Sequence, residues 1–468
     1  MNNDSTAEIE RHLRALVTAA SAGDRLPSTR ALVAQFAVSP LTVQSALHRL
    51  AAAGLIETRP GTGTFVSARP AIRRADFSWQ TTALASTRAA QNVVGTAMSL
   101  DSSVPIAMHS AYPSEALLPQ RLIRQALGRA ARRSPDIDRP LLGGMPELRA
   151  YFASEIDANA VARASGISGD DTIVVPGSQS ALISVFRALA QPGDAIVMES
   201  PTYWGAIAAA RQAGLVIVPI ARGSRAPAAA ELDEALETSG ARLFYAQPHF
   251  ANPTGALWSS AEAASLLEVI RARNAFLIED DWAHDFGIDA DVRPLLWHDT
   301  DGHVVYLRSL SKSVSPSLRV GAVIARGPAL ARIQVDRTVT DLYVSGTLQA
   351  AALDVVTDPG WRSHLVRLRE ALRVRRDTLA AHVVEHLGAE TLTYLPKGGL
   401  NLWLRFDDGV DVARLVAECL SKGVSMAPGG EWYPAEPPGS FVRLNFSGPH
   451  PERFGEGVEV IAEAIRSR

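Results

Sequence analysis

The chain has 468 residues, 47% of them hydrophobic and 20% charged, enough for about two to four domains with sizeable cores. A net charge of −3 gives no whole-chain basis for nucleic-acid binding, so such a reading has to rest on a local region. The single cysteine, Cys419, excludes a disulfide framework. With no signal-peptide start and no apolar run long enough to span a bilayer, a cytoplasmic setting is expected.

Apolar Ile9, Leu13, Leu16 and Val17 recur at helical spacing. Ser28 is placed to cap a second helix in LPSTRALVAQF, and Ser39, with Pro40 at the first helical position, to cap a third. Val43, Ala46, Leu47 and Leu50 form that helix's apolar face, Gly54 ends it, and LIETRPGTGTFVS reads as strand, glycine turn, strand. Residues 1–68 therefore read as an α+β winged helix-turn-helix unit. In such a unit the second helix of the motif offers its N-terminal side chains to base edges of double-stranded DNA. Here these are Thr42, Gln44, Ser45, His48 and Arg49, with Arg30 and the wing residues Arg59, Thr62 and Gly63 placed for phosphates. Residues 1–70 hold seven arginines against five acidic residues. That excess is modest, and a protein–protein helical module is the competing reading.

Residues 69–100 are rich in Ala, Arg, Ser and Thr with poor periodicity, and read as a linker. From 101 to 468 short apolar strands alternate with helical stretches, which predicts a mainly parallel sheet covered on both faces, over about 101–330. Long helices and the strands GGLNLWLRF and SFVRLNFS then predict a smaller α/β part over about 331–468.

The chemistry-bearing residues follow the strands. GSQS places Ser178 and Gln179 at a strand-to-helix turn, where backbone N–H groups can hold a phosphate or merely start a helix. Tyr203 can stack on a flat ring or simply pack. Asn252, before Pro253, can bond a phenolic oxygen or shape the turn. Asp280, at the end of AFLIEDD, can pair with a protonated ring nitrogen or serve as a loop carboxylate. Only three of the 46 basic residues are lysines, and one of them, Lys312, sits in SLSKS with Ser309, Ser311 and, seven residues on, Arg319. A lysine amine with a lowered pKa can form a Schiff base, which arginine cannot; the alternative is a solvated loop lysine. No metal site is expected.

Two resemblances join these observations. LPSTRALVAQFAVSPLTVQSALHRLAAAGLIETRPGTGTFV resembles the reader domain of GntR-type regulators, with departures at Pro40, Leu41 and Gln44, where that family often has Arg, a polar residue and Arg. The order GSQ, Tyr203, Asn252 in NPTG, Asp280, Ser309-x-Ser311-Lys312 and Arg319 resembles the fold-type I aminotransferases, over roughly 100–468. That resemblance implies pyridoxal 5′-phosphate (PLP) as cofactor. Lys312 would form the Schiff base, Asp280 pair with the pyridine nitrogen, Tyr203 cover the ring and Asn252 contact the phenolic oxygen. Ser178, Gln179, Ser309 and Arg319 would hold the phosphate, and Arg443 a substrate or effector carboxylate. Trp282 stands near where relatives have a tyrosine that bonds the phenolic oxygen. The fusion resembles MocR-type transcription regulators, implying a homodimer that senses an amino acid, amine or B6 vitamer and changes operator binding. The alternative is an active aminotransferase, capable of half-transamination, with an accessory DNA-binding module.

Overall fold

A computed structural model describes residues 2–67, 104–110, 112–133, 139–156 and 166–467. The linker expected over 69–100 lies outside the described residues. The chain divides into two compact units, at Ser86 and Thr87.

The first unit holds α1 (Asn2–Ala19), α2 (Thr29–Phe36), α3 (Pro40–Ala52), β1 (Ile56–Arg59) and β2 (Gly63–Val66). The expected caps are present: Ser28 Oγ accepts from the Ala31 amide and Ser39 Oγ from the Thr42 amide, each at 3.2 Å. Pro40 opens α3, where its missing N–H leaves no hydrogen bond unmade. Ile9, Leu13, Leu32, Val43, Leu47 and Leu50 close a core that Ile56 and Val66 of the antiparallel wing complete.

The second unit begins with β3 (Ile106–Ala107), α4 (Gln120–Ala130) and α5 (Pro146–Ile156). Then come β4 (Thr172–Val175), α6 (Ser178–Leu189), β5 (Ala195–Ser200), α7 (Trp204–Gln212), β6 (Val216–Ala221), α8 (Ala229–Ser239) and β7 (Leu243–Ala246). They are followed by α9 (Ser260–Ala272), β8 (Phe276–Asp281), β9 (Val304–Ser309) and β10 (Gly321–Ile324). Seven of these strands form one sheet in the order β4-β10-β9-β8-β7-β5-β6. Neighbours from β9 through β6 are parallel, and only β10 runs antiparallel to both its neighbours. The parallel strands read as continuous apolar runs because helices cover both faces.

The remaining elements are α10 (Gly327–Asp341), α11 (Gly346–Val356), α12 (Gly360–Leu387), β11 (Asn401–Phe406), α13 (Val412–Ser421), β12 (Val424–Ser425), β13 (Ala427–Pro428), β14 (Ser440–Asn445) and α14 (Phe454–Arg466). β11, β14 and β13 make an antiparallel sheet, and β12 pairs with β3 in parallel. Ala351 and Val355 of α11 pack in the core of the large sheet. The long α12 enters both cores: Trp361 lies with the large sheet, while Leu368, Leu379 and Val383 lie with the small one. Among the described residues no helix is long and apolar enough to cross a membrane.

Candidate active site and nucleic-acid interface

In an open α/β sheet ligands bind beyond the C-terminal strand ends. There, a cavity of about 380 Å³ is lined by Ser178, Gln179, Tyr203, Asn252, Trp282, Ser309, Ser311, Lys312, Arg319 and Arg443. Tyr112, Trp204 and Pro316, which the sequence reading missed, complete it.

Strand alternation decides what the acidic end of β8 does. Asp280 accepts from the Tyr245 hydroxyl at 2.7 Å and the Gln247 side chain at 2.8 Å, both through Oδ2. Its Oδ1 is buried and has no partner. Burial raises the Asp280 pKa, against the two donors and Lys312. Glu279 and Asp281 serve a different set of partners. Glu279 accepts from the amides of Leu295 and Leu296 at 2.9 and 3.1 Å. Asp281 accepts from the Tyr306 hydroxyl at 2.7 Å and lies 2.9 Å from His284 Nδ1. Tyr245 and Gln247 are two residues apart, a spacing that puts them on one face of a strand. Their meeting with Asp280 depends on β7 lying beside β8, which spacing alone does not reveal.

The turn after β9 presents Lys312. Its amine lies 4.4 Å from the Trp282 ring centre and 5.4 Å from that of Tyr112, not in an ion pair with a carboxylate. Burial, then the Arg443 charge, lower its pKa to about 7, while Asp280 acts the other way. Trp282 therefore meets the lysine with its ring face, and its indole Nε1 is buried without a hydrogen-bond partner.

Beside the lysine, Ser309 Oγ accepts from the Ser311 amide at 3.2 Å. Arg319 donates to the Pro176 carbonyl at 2.9 Å and approaches Ser311 Oγ at 3.4 Å. The guanidinium lies against Gly177, the residue before α6, where an added Cβ would stand 2.7 Å from Arg319 Nη2 and φ is +88°. Only glycine fits there without strain. The result is an arginine at a helix N-terminus, a cradle for an anion. Gln179 is tied by its side chain, accepting from the Tyr203 hydroxyl at 3.0 Å and donating to the Gly205 carbonyl at 2.8 Å. Its amide group positions the tyrosine.

Arg443 of β14 is fully buried and lines the same cavity. It donates to Asn252 Oδ1 at 3.0 Å and to the His109 carbonyl at 2.5 Å, and lies 4.6 Å over the Trp432 ring. Its Nε has no partner, and burial lowers its pKa to about 10. Asn252 thus uses its side-chain oxygen to hold the arginine.

In the first unit Gln44, Ser45, His48 and Arg49 are exposed along α3, and Thr42, half-buried, shares a 2.8 Å hydroxyl contact with Ser39. Arg49 pairs with Glu10 of α1 at 3.1 Å, and Arg59 pairs with Glu57 while lying 4.8 Å over Phe65. Arg49 is exposed and Glu10 half-buried, both partners of the Arg59 pair are exposed, and such surface pairs hold little energy. Arg30 and Thr62 are exposed, and Gly63 lies half-buried against Arg25. Leu41, at the start of α3, is 76% exposed, an apolar side chain with no core to join.

Residues 147–461 match the family "Aminotransferase class I and II". The chain belongs to that family. Residues 5–66 match "Bacterial regulatory proteins, gntR family", so this aminotransferase-like chain carries a DNA-binding reader in front, the fusion of MocR-type regulators. It is 28% identical to the "Probable rhizopine catabolism regulatory protein MocR" of Rhizobium meliloti, over 99% of this chain and 95% of that one. It is 27% identical to the "Uncharacterized HTH-type transcriptional regulator YdcR" of Escherichia coli, over 95% of each. The fold is that of LysN, an alpha-aminoadipate aminotransferase from Thermus thermophilus, with a TM-score of 0.72 and 24% identity over 79% of this chain and 96% of that one. This MocR-type chain therefore joins a DNA-binding regulator module to a PLP-type domain.

Proposed function

We propose that this MocR-type chain binds PLP in the cavity around Lys312, that an amino acid, amine or B6 vitamer enters beside it, and that occupancy changes operator binding. The observation that carries the reading is the Lys312 amine in one cavity with the Gly177–Arg319 cradle and Arg443, its pKa pushed down by burial and the Arg443 charge. The residues fit the cofactor. Asp280 Oδ1 is an unpaired buried acceptor suited to a pyridinium N–H. The Gly177–Arg319 cradle suits a phosphate. Bound PLP would supply an aldehyde that reacts with amines. Lys312 supplies the nucleophilic amine, Asp280 would hold a proton at the ring nitrogen, and Tyr203 would cover the ring. Ser178, Ser309 and Arg319 would hold the phosphate, and Asn252 retains its Nδ2 donors for an oxygen of the bound group. Arg443, with Nε unpaired, would take a carboxylate by a charge-assisted hydrogen bond.

The regulatory step is linkage. An effector that favours one arrangement of the protein shifts operator affinity by its differential affinity for the two. A cytoplasmic homodimer is part of the proposal, supported by Val335 and Val339, 66% and 84% exposed and one turn apart on α10. The test follows operator binding by fluorescence anisotropy while PLP-loaded protein is titrated with amino acids, amines and vitamers, with sedimentation to count subunits. One compound is expected to shift the operator Kd about 5–150-fold. A second reading, an active aminotransferase, is favoured by the complete polar set around Lys312. Steady keto-acid formation at about 1 per second or faster, with operator affinity unmoved, would replace the first reading by the second.

Leu41 adds a prediction for the reader. An exposed apolar residue at the start of a groove-reading helix is suited to a thymine methyl. On a duplex selected by the wild-type protein, Leu41→Ser is expected to weaken binding about tenfold and leave non-specific binding unchanged. Equal losses on both kinds of DNA would show that Leu41 does not read a base.

A further inference from the structure

The C-terminal part of α12 carries a cluster outside the cavity described above. His382, Glu385 and His386 lie within one turn and share a face. Glu385 Oε2 is 3.7 Å from His382 Nδ1 and 3.7 Å from His386 Nε2. From α14, Glu459 Oε1 comes to 3.8 Å of the same His386 Nε2. None of these distances is a hydrogen bond. His382 Nδ1 is shielded from solvent and has no hydrogen-bond partner. The ligand-type atoms of the α12 triad all lie within 4.8 Å of one another.

Three α12 groups converge without bonding each other, with Glu459 approaching one of them, and their spacing suits a small cation. Zinc bonds to nitrogen and oxygen of about 2.0–2.1 Å in a tetrahedron put ligand atoms about 3.4 Å apart. The three close approaches exceed this by a few tenths of an ångström and the remaining pair of the α12 triad lies within 4.8 Å, gaps that side-chain rotation would have to close. A second cluster, Glu155, His284 and Asp285, differs in one respect. Its carboxylates are held by Arg308 and its imidazole by Asp281, so a cation would have to break an existing network.

We propose that His382, Glu385, His386 and Glu459 bind one zinc-class divalent transition metal and thereby clip α12 to α14. Two imidazoles with carboxylates and no thiolate select zinc, nickel or cobalt over magnesium and calcium, which prefer all-oxygen shells. Because α12 enters both cores of the second unit, the clip fixes one end of the helix that joins them. The proposal is independent of the cofactor reading.

The test uses tag-free full-length chain stripped with chelator and titrated with Zn²⁺ and Co²⁺ by calorimetry and visible absorption, with Mg²⁺ as control. One equivalent of Zn²⁺ is expected to bind, and Co²⁺ to give the intense visible bands of a tetrahedral site. The double variant His382→Ala, His386→Ala is expected to lose at least about tenfold in affinity for that equivalent. Glu459→Gln alters an exposed carboxylate that the fold does not need, and is expected to lose about threefold. If the double variant fails to fold by circular dichroism, Glu459→Gln decides alone. Wild-type chain that takes up no Zn²⁺, or variants with unchanged isotherms, would overturn the proposal.

Discussion

Lys312→Ala is expected to abolish covalent capture of PLP. Wild-type protein should show a visible band distinct from free PLP that survives gel filtration, and the variant should not. Borohydride reduction followed by peptide mass analysis gives the address. The chain has only three lysines, and the other two, Lys397 and Lys422, are exposed, with Lys422 paired to Glu418. The pH dependence has a definite sign. Only the neutral amine is a nucleophile, and the folded protein holds the Lys312 pKa at about 7 through burial and the Arg443 charge. Capture should therefore speed up as pH rises through about 7 and level off above it, where an ordinary lysine would still be gaining up to about 10.4. Label on Lys397 or Lys422, or a band that persists in Lys312→Ala, would sink the assignment of Lys312.

The second large effect concerns the strand that delivers this lysine. Arg308 on β9 is buried and donates to its neighbour's carbonyl at Ser309 at 2.7 Å, to Asp285 at 2.9 Å and to Glu155 at 3.2 Å. Removing one partner of a buried ionic network leaves a charge without compensation, at about 3–5 kcal/mol. Arg308→Met is expected to lose stability of that order in urea unfolding of the full chain. Burial by itself would push the Asp285 pKa up, and Arg308 and His284 bring it below the usual carboxylate range. In the wild type this carboxylate contributes stability above its unfolded pKa, lost as pH falls through the folded one. In the variant the stranded carboxylate is a liability at neutral pH that protonation relieves. The gap between the two proteins should therefore narrow as pH falls from neutrality toward the ordinary carboxylate range. A small loss that does not vary with pH would mean that Asp285 and Glu155 find other partners.

How much of this was legible follows from the range of each interaction. The caps at Ser28 and Ser39, Pro40 at the start of α3 and the β-wing were readable because their hydrogen bonds close within a few residues. The strands ending at Ser200, Ala246, Asp281 and Ser309 showed as short apolar runs, since strands covered on both faces need side chains of one kind. Lys312 stood out because this chain almost always uses arginine, with only two other lysines.

β10 escaped the reading. It follows the lysine turn directly, yet runs antiparallel between β4 and β9, and its four residues look like the tail of a loop. The roles within Glu279-Asp280-Asp281 were also out of reach. Period two separates Asp280 from its neighbours, but which face meets the cavity depends on helices and strands packed from elsewhere. Trp282 departs from the relatives' tyrosine near that position, and only packing shows that its ring face turns to Lys312. Asn252 was read against a phenolic oxygen, and the fold sets its side-chain oxygen on Arg443, 191 residues away.

The sequence by itself determined the two modules, their order, most strands and most of the residues that line the cavity, because local hydrogen bonds, side-chain periodicity and rare residue types are written in adjacent positions. Only the tertiary structure decided the lowered Lys312 pKa, the pairing of Asp280 with Tyr245 and Gln247, and the meeting of α12 with α14 at His386 and Glu459. Each of these depends on burial or on chain segments brought together from far apart, and neither is a property of any stretch of sequence alone.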